Sequence, residues 1–196
     1  MSNKSIRAWY DELIVSSDIL ALQEIRDKSN ASQERLLALA PADHAMILSP
    51  RLGNTPYYKE QYAYIYNASL LNVSETRVLN VTGDMGRPPF QTRFAVNNFS
   101  FTAYNIHTSP DTAAEEITVS LETASRHSGS QVVIGDLNAD CSYYDVKNGF
   151  YGYTAVIGDD ADTTTAETDC AYDRILVRGD AATRHRTAKV HDTPSW

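Results

Sequence analysis

Apolar and polar residues follow two periods along this chain, one typical of helices and one of strands. Helical spacing predicts amphipathic helices at residues 5–15, 31–40 and 111–127. The helix at 31–40 has Ser29 or Asn30 as its N-cap and ends before Pro41. Alternation or short apolar runs predict strands at residues 18–24, 44–49, 60–66, 69–81, 91–96, 99–107, 131–137, 150–157 and 171–177. Strands interleaved with helices favour one domain over residues 1–196, with mixed sheets and helices outside.

Net charge limits the partners that this domain can have. The chain of 196 residues has a formal charge of −8, which argues against a general polyanion-binding surface. Contact with nucleic acid must then be local or assisted by a metal ion. No run of 18 apolar residues occurs, so we expect no membrane span.

Polar side chains lie where several predicted strands end. The apolar run 131–134 leads into Asp136, Asn138 and Asp140. These residues are either chemical groups at the end of a buried strand or members of an Asx-rich turn that caps its own backbone. Because Glu24, His107 and Asp173 border three other strands, core packing explains the whole set poorly.

The two cysteines, Cys141 and Cys170, flank two of these segments. A disulfide between them would tie the turn after Asp136 to the strand at Asp173, and it would indicate an extracellular or secreted protein. The alternative is a pair of buried free thiols in a reducing cell. Residues 1–4 are not followed by the apolar stretch of a secretory signal.

Six segments resemble deoxyribonuclease I and occur in that family's order, namely residues 22–27, 58–62, 106–110, 135–143, 162–164 and 170–175. The resemblance spans most of the chain. It implies an α/β (α+β) fold of two packed mixed β-sheets flanked by helices, as in the endonuclease/exonuclease/phosphatase superfamily. It also implies divalent-metal-dependent cleavage of phosphodiesters.

The resemblance assigns a role to each strand-end residue. Glu24 is the implied ligand of Mg²⁺ or Mn²⁺, with Asp136 as a further ligand. Asp136 and Asn138 together would hold the phosphate and its attacking water, or the waters bound to the metal. His107 resembles the general acid, and Glu60 the carboxylate that orients its other ring nitrogen. Asp173 resembles the partner of a second histidine and a further carboxylate at the metal.

Two further sets of residues match less central parts of the family. Contacts to the DNA groove and phosphates are implied for Arg26, Tyr58, Arg87 and Tyr143, although Arg26 could instead form a surface pair with Asp27. Asp162 and Thr164 match a structural Ca²⁺ loop. Ala166 replaces a threonine of that loop.

The chain departs from the family at both ends. It begins at what resembles the helix after the family's first strand, and it lacks the closing Ser-Asp-His strand. We therefore expect an exposed sheet edge that self-associates or is rebuilt. A turn at residues 179–183 could return a strand at 184–190 and bring His191 beside Asp173 as a substitute base; otherwise His191 belongs to a solvent-exposed tail.

The leading interpretation is a metal-dependent endonuclease that cleaves DNA with little sequence specificity. One alternative is a phosphatase or phospholipid diesterase of the same superfamily. Another is a catalytically weak or silent relative that binds nucleic acid or protein.

Overall fold

The computed structural model describes residues 6–165 and 167–191. Within them lie helices α1 (Ile6–Ser16), α2 (Ala31–Leu37), α3 (Ala113–Ser125) and α4 (Asp180–Arg184). The strands are β1 (Ile19–Ile25), β2 (His44–Leu48), β3 (Gln61–Asn67), β4 (Asn72–Val78), β5 (Phe90–Val96), β6 (Phe99–Asn105), β7 (Ser130–Asp136), β8 (Thr154–Ala155) and β9 (Asp173–Arg178). None of the described helices is long and apolar enough to cross a membrane.

Six strands form the larger sheet, in the order β4-β5-β6-β7-β9-β8. Neighbouring strands are antiparallel except β6 and β7, which are parallel and are joined through α3. The apolar face of α3 covers one side of this sheet, where Ile117 and Leu121 pack with Tyr104, Val133 and Leu176. Because this crossover helix makes β6 and β7 parallel, the C-terminal ends of both strands lie at the same end of the sheet.

The smaller sheet has the order β1-β3-β2 and is antiparallel throughout. It packs on the other side of the six-stranded sheet through an aromatic cluster that includes Tyr62, Tyr64, Phe90 and Phe94. Burying such rings supplies much of the hydrophobic stabilisation between two sheets. The predicted architecture of two packed sheets flanked by helices is confirmed.

Several element boundaries differ from the prediction. The strand predicted at 150–157 is reduced to Thr154–Ala155 because Tyr151 and Gly152 both have positive φ, 52° and 79°. The second helix ends at Leu37. Asn30 lies at its N-terminus but forms no side-chain cap; the Asp27 carboxylate accepts the Ser32 amide instead, at 2.7 Å.

The predicted C-terminal hairpin is wrong. Gly179 has φ 67°, and after this turn the chain forms α4, whose Ala181 is buried as the helix packs against β7 and β9. Residues 185–191 form no strand, and His191 is exposed. The solvent-exposed tail is thus the alternative observed for His191, while residues 192–196 lie outside the described part.

Candidate active site at the strand ends

The parallel pairing of β6 and β7 continues past the end of β6 and places His107 beside Asp136. Ile106 N donates to Ile134 O at 3.0 Å, and Thr108 N donates to Asp136 O at 3.0 Å. On the other side of β7, Asp136 is paired directly with Asp173 of β9. Three predicted site residues, His107, Asp136 and Asp173, therefore lie together at one end of the six-stranded sheet, where its strands begin or finish.

A glycine at the end of β7 allows close approach both of the neighbouring strand segment and of a side chain from the smaller sheet. Gly135 has φ 142°, and a Cβ atom there would lie 2.0 Å from Ile106 O and 2.9 Å from Gln23 Nε2. Gln23 Nε2 in turn donates to Asn105 Oδ1 at 2.5 Å. Since Gln23 is fixed against β6 and β7, the next residue, Glu24, is held at the same end of the molecule.

Glu24 occupies an irregular position in β1. The pairing of β1 with β3 shifts register between Leu22 and Ile25, and Glu24 has φ 56°. Such a bulge redirects a side chain out of the regular strand pattern. The side chain of Glu24 is 54% exposed, so its carboxylate is accessible from solvent.

His107 and Glu60 form a buried hydrogen-bonded pair. His107 Nδ1 lies 2.7 Å from Glu60 Oε1, and His107 Nε2 lies 3.8 Å from Asp136 Oδ2. Glu60 is 1% exposed and His107 7%. A carboxylate at Nδ1 fixes the ring orientation and leaves Nε2 directed toward Asp136.

Arg87 supports this pair from within the protein. Its Nη1 lies 3.7 Å from Glu60 Oε2, while Nε and Nη2 donate to the carbonyl oxygens of His107 and Thr108, both at 3.0 Å. Arg87 is 8% exposed. The structure places Arg87 where it positions Glu60 and His107, which differs from the surroundings expected of a groove contact. Its substrate-binding role stays a prediction.

Tyr62, which sequence reasoning did not single out, completes this support. Its hydroxyl donates to Arg87 O at 3.0 Å and accepts from His107 N at 3.1 Å. Burial raises the pKa of Tyr62 well above its ordinary value, so the hydroxyl stays protonated. The only sequence signal for this role is the alternation that places Tyr62 on one face of β3.

The turn after β7 is both an Asx turn and part of the site. Asn138 has φ 48°, and its backbone N donates to Asp136 Oδ1 at 3.0 Å. Asn138 Nδ2 donates to Thr108 O at 3.1 Å. The two interpretations of this segment are therefore compatible, because one carboxylate oxygen of Asp136 closes the turn while the other faces His107.

Among the acidic side chains at this end of the sheet, Asp173 has a strongly raised pKa. Desolvation and the neighbouring Asp136 carboxylate raise its pKa to about 6, although Thr163 and His107 act in the opposite direction. Thr163 Oγ1 also accepts the backbone N–H of Asp173 at 2.9 Å. The Asp173 residue as a whole is exposed, although its carboxylate is partly desolvated by its neighbours.

Aromatic rings lie close to the candidate site, next to each of the two sheets. Near the three-stranded sheet, the Arg26 guanidinium lies 4.4 Å from the centroid of the Tyr58 ring, donates to its hydroxyl, and pairs with Glu24 at 3.0 Å. Near the six-stranded sheet, the rings of Tyr143 and Tyr172 are 5.4 Å apart. The predicted alternative, an ion pair of Arg26 with Asp27, is not the arrangement observed.

The disulfide between Cys141 and Cys170 is present. It joins the turn after Asp136 to the segment before β9, and Asp140 strengthens this junction by accepting the amides of Cys141 and Ala171 at 2.7 and 2.8 Å. Burial acts to raise the pKa of Asp140, but these hydrogen bonds and the nearby Arg174 outweigh burial, and the pKa is lowered.

Arg174 is a buried residue that the sequence analysis missed. Its guanidinium donates to Ile157 O at 2.9 Å and Ala139 O at 3.1 Å, and it pairs with Asp159 at 2.9 Å. It thereby ties the turn after β7 to the loop that contains Asp162. The available signal was a charged residue that begins the apolar run of β9.

The loop that contains Asp162 and Thr164 is held together by hydrogen bonds between its own residues. Thr164 donates to Asp162 Oδ1 from both N, at 2.9 Å, and Oγ1, at 3.0 Å. The predicted Ca²⁺ role of Asp162 and Thr164 stays a prediction, and Ala166 lies outside the described residues.

The side chains at the strand ends carry the oxygen atoms that a hard divalent cation binds. Within residues 6–165 and 167–191, no three histidine, cysteine or acidic side chains form a ready metal cluster. However, Asp136 and Asp173 face each other closely enough to raise the pKa of Asp173, and a cation would relieve that repulsion. Carboxylate and amide oxygens are the donors that Mg²⁺ prefers.

Comparison with known proteins agrees with this geometry. The profile of the Endonuclease/Exonuclease/phosphatase family matches residues 3–195. "Deoxyribonuclease-1" of Gallus gallus is 29% identical over 206 residues, covering 92% of this chain and 73% of that protein. "Deoxyribonuclease-1-like 1" of Chlorocebus aethiops is 31% identical over 206 residues, covering 93% and 68%.

A solved structure shares the fold. It is described as an "endonuclease/exonuclease/phosphatase family protein from Leptotrichia buccalis C-1013-b", and it superposes with a TM-score of 0.66 at 13% identity, covering 88% of this chain and 78% of that one.

Proposed function

The chain belongs to the endonuclease/exonuclease/phosphatase family, and on that premise we propose that it is a divalent-metal-dependent endonuclease that hydrolyses DNA with little sequence specificity. The observation that carries the proposal is the buried Glu60–His107 pair, 2.7 Å long, whose free ring nitrogen points to Asp136. Sequence similarity to deoxyribonucleases supports DNA as the substrate. The disulfide fits an oxidising compartment, and we propose an extracellular location.

His107 is the proposed general acid. Its Nδ1–H donates to Glu60, so the proton available to a substrate is the one at Nε2. Glu60 fixes the orientation of the ring for this role, because its Oε1 lies 2.7 Å from His107 Nδ1 and leaves Nε2 facing the site. Transfer of the Nε2 proton to the departing oxygen completes cleavage of the phosphodiester bond.

Asp136 and Asp173 are the carboxylates available to orient the attacking water and to take its proton. Asp173 lies directly opposite Asp136 in the pairing of β7 with β9, so both carboxylates reach the same end of the six-stranded sheet. His191, an alternative base from the sequence, is exposed and lies in no strand, so we do not include it.

Glu24, Asp136 and Asn138 are the proposed ligands of Mg²⁺ or Mn²⁺, with Asp173 as a further carboxylate. Bound there, the ion supplies positive charge to the phosphoryl oxygens. Arg26 contacts both Glu24 and Tyr58, and Tyr143 packs against Tyr172 near the six-stranded sheet. We propose that these side chains contact phosphate, sugar and base faces, which give little sequence information.

A substrate panel tests the proposal. We expect the protein to nick supercoiled plasmid DNA in Mg²⁺ or Mn²⁺ and to lose this activity in EDTA, while an aryl phosphomonoester stays intact. Hydrolysis of the monoester with intact plasmid would identify a phosphatase instead. Binding of DNA without cleavage under every metal condition would indicate a silent binding protein.

A further inference from the structure

Asn105, the last residue of β6, is a polar side chain in an apolar row. Phe101 and Ala103 precede it on the face of β6 that packs against the smaller sheet, because side chains on one face recur every second residue. Asn105 is fully buried, at 0% exposure. Burying an amide costs stability unless its hydrogen bonds are made, so the partners of Asn105 are the reason that it can lie there.

The Asn105 amide joins two strands of the smaller sheet. Its Nδ2 donates to Leu22 O of β1 at 3.0 Å and to Ala63 O of β3 at 3.1 Å, which uses both of its N–H groups. Its Oδ1 accepts from Gln23 Nε2 at 2.5 Å. With oxygen and nitrogen exchanged, the amide would place an oxygen against two carbonyl oxygens, so these partners fix its orientation.

These hydrogen bonds hold β1 at the point where its pairing with β3 is interrupted. The two strands pair regularly up to Leu22, and pairing resumes only at Ile25, so Gln23 and Glu24 lie in a bulge. Glu24 has φ 56°, a conformation that residues with a side chain seldom adopt without support. Asn105 binds the carbonyl of Leu22 and the side chain of Gln23, the two residues that lead into this conformation.

The same amide lies beside the strands that lead to the other site residues. Asn105 is two residues before His107 in the sequence. Its partner Gln23 lies against β7, because a Cβ at Gly135, the residue before Asp136, would be 2.9 Å from Gln23 Nε2. The hydrogen-bonded amides of Asn105 and Gln23 therefore join the bulge of β1 to the strands that end at His107 and Asp136.

We propose that Asn105 is a positioning residue for the candidate site. Through Leu22 O and the side chain of Gln23, it holds the bulge that presents Glu24 beside the ends of β6 and β7. The inference rests on the proposed function for the role of Glu24 as a metal ligand. It adds that the affinity for the metal depends on a buried amide that orients this ligand through the backbone.

Direct metal binding tests the inference. Mn²⁺ is titrated into metal-free protein at neutral pH without DNA, and free Mn²⁺ is measured by electron paramagnetic resonance. Asn105→Leu replaces the amide by an apolar side chain of similar volume, and Gln23→Met removes the donor to Asn105 while keeping the length of the side chain. We expect either change to raise the Kd for Mn²⁺ roughly 10- to 100-fold.

Gln131→Met is the matched control, because Gln131 is another fully buried amide on the larger sheet. Its Nε2 donates to Ala124 O at 3.0 Å, and it lies five residues before Asp136, roughly 16 Å away along β7. Gln131→Met should lower Tm, as the test variants do, and leave the Kd for Mn²⁺ unchanged. Glu24→Gln supplies the Kd of a site that lacks this ligand.

Hydrogen exchange measures the bulge itself and requires neither metal nor activity. In metal-free protein, the amides of residues 22–25 should exchange faster in Asn105→Leu and Gln23→Met than in the wild type. Gln131→Met should leave exchange in this segment unchanged. A wild type that binds no Mn²⁺ but shows this local difference would overturn the proposed metal-dependent function and leave the positioning role standing.

Unchanged Kd for Mn²⁺ in both Asn105→Leu and Gln23→Met, with a raised Kd in Glu24→Gln, would overturn the inference, as would exchange at residues 22–25 that matches the wild type. An equal loss of Mn²⁺ affinity in Gln131→Met would also overturn it, because the effect would then be one of general stability. If Asn105→Leu does not fold, Gln23→Met decides both measurements.

Discussion

Glu60 is buried and contacts the two groups through which it would act, His107 and Arg87. Glu60→Gln keeps the size of the side chain but replaces the carboxylate that lies 2.7 Å from His107 Nδ1 with an amide. We expect kcat for plasmid cleavage to fall by roughly 10²-fold or more, with the pH dependence of kcat shifted. Steady-state kinetics over a pH series measure both effects.

The matched control is Glu75→Gln, which removes an exposed acid paired with Arg77 at 3.3 Å on β4. It should leave kcat unchanged. A Glu60→Gln protein that loses thermal stability but keeps kcat and its pH profile would show that Glu60 is only structural.

Asp173 predicts a specific dependence of stability on pH in metal-free protein. Its pKa rises from 3.8 to about 6 on folding, so the folded protein favours the protonated form. The free energy of unfolding should therefore decrease as pH rises from about 4 through 6, where Asp173 is forced to ionise. Asp173→Asn cannot ionise and escapes this loss.

Thermal unfolding in EDTA measures the difference. The Tm of Asp173→Asn relative to wild type should increase as pH rises from 4 to 7, and Mg²⁺ should reduce the gap by stabilising the wild-type carboxylate. A gap that is constant with pH, or that closes as pH rises, would contradict the assigned pKa shift.

At the residue scale, the sequence predicted the positions of several groups but few of their supporting contacts. His107 and Asp136 follow apolar strands, and that pattern marks strand ends directly. Arg87 and Arg174 each donate to backbone carbonyl oxygens of distant segments, and such acceptors leave no signature in the sequence. The contacts of these arginines depend on how the loops at the strand ends pack.

The Cys141–Cys170 disulfide predicts a measurable stability at the scale of elements. The bridged residues are 29 positions apart. Restricting a loop of this length in the unfolded chain stabilises the folded protein by roughly 3–4 kcal/mol. Replacing both cysteines by serine should lower the free energy of unfolding by about that amount in denaturant titration. Equal stability of the double variant and the oxidised wild type would contradict this account.

Helices and strands with strong periodicity were predicted well, and weakly patterned segments were not. The alternating run of β3 and the apolar run of β7 lie within one residue of their predicted bounds. The hairpin alternative for the C-terminal segment fails, and α4 was not predicted, because this helix depends on Gly179 at φ 67° and on burial of Ala181 against the sheet. A five-residue helix is fixed by such tertiary contacts more than by its own propensity.

The whole molecule has an exposed sheet edge and an open apolar groove. Within the described residues, β1 pairs on one side only, with β3. A groove of about 450 Å³ lies between the six-stranded sheet, where Phe99, Phe101 and Val132 line it, and the segment 181–189 of α4 and the tail. The edge and the groove support the expectation of self-association, because unpaired edges and open apolar surface favour contact with another chain.

Light scattering after size exclusion tests this expectation over a range of protein concentrations. We predict a mass above that of one chain, 21.8 kDa, which decreases when Leu20→Lys places a charge on the β1 edge. Arg93→Lys, on an interior strand of the larger sheet, serves as the control. A monomeric mass at every concentration would count against self-association.

The central claim is that the strand ends of both sheets together form a metal-dependent phosphodiesterase site, and Glu24 tests it most directly. Glu24→Gln removes charge at an exposed position with little change in volume, so the fold should persist. Rates of plasmid cleavage over a Mg²⁺ titration should fall by about 10²-fold or more, since a bound cation contributes several kcal/mol to such reactions. Glu34→Gln, an exposed acid on α2, should retain the wild-type rate. Full activity of Glu24→Gln at every Mg²⁺ concentration would contradict the account.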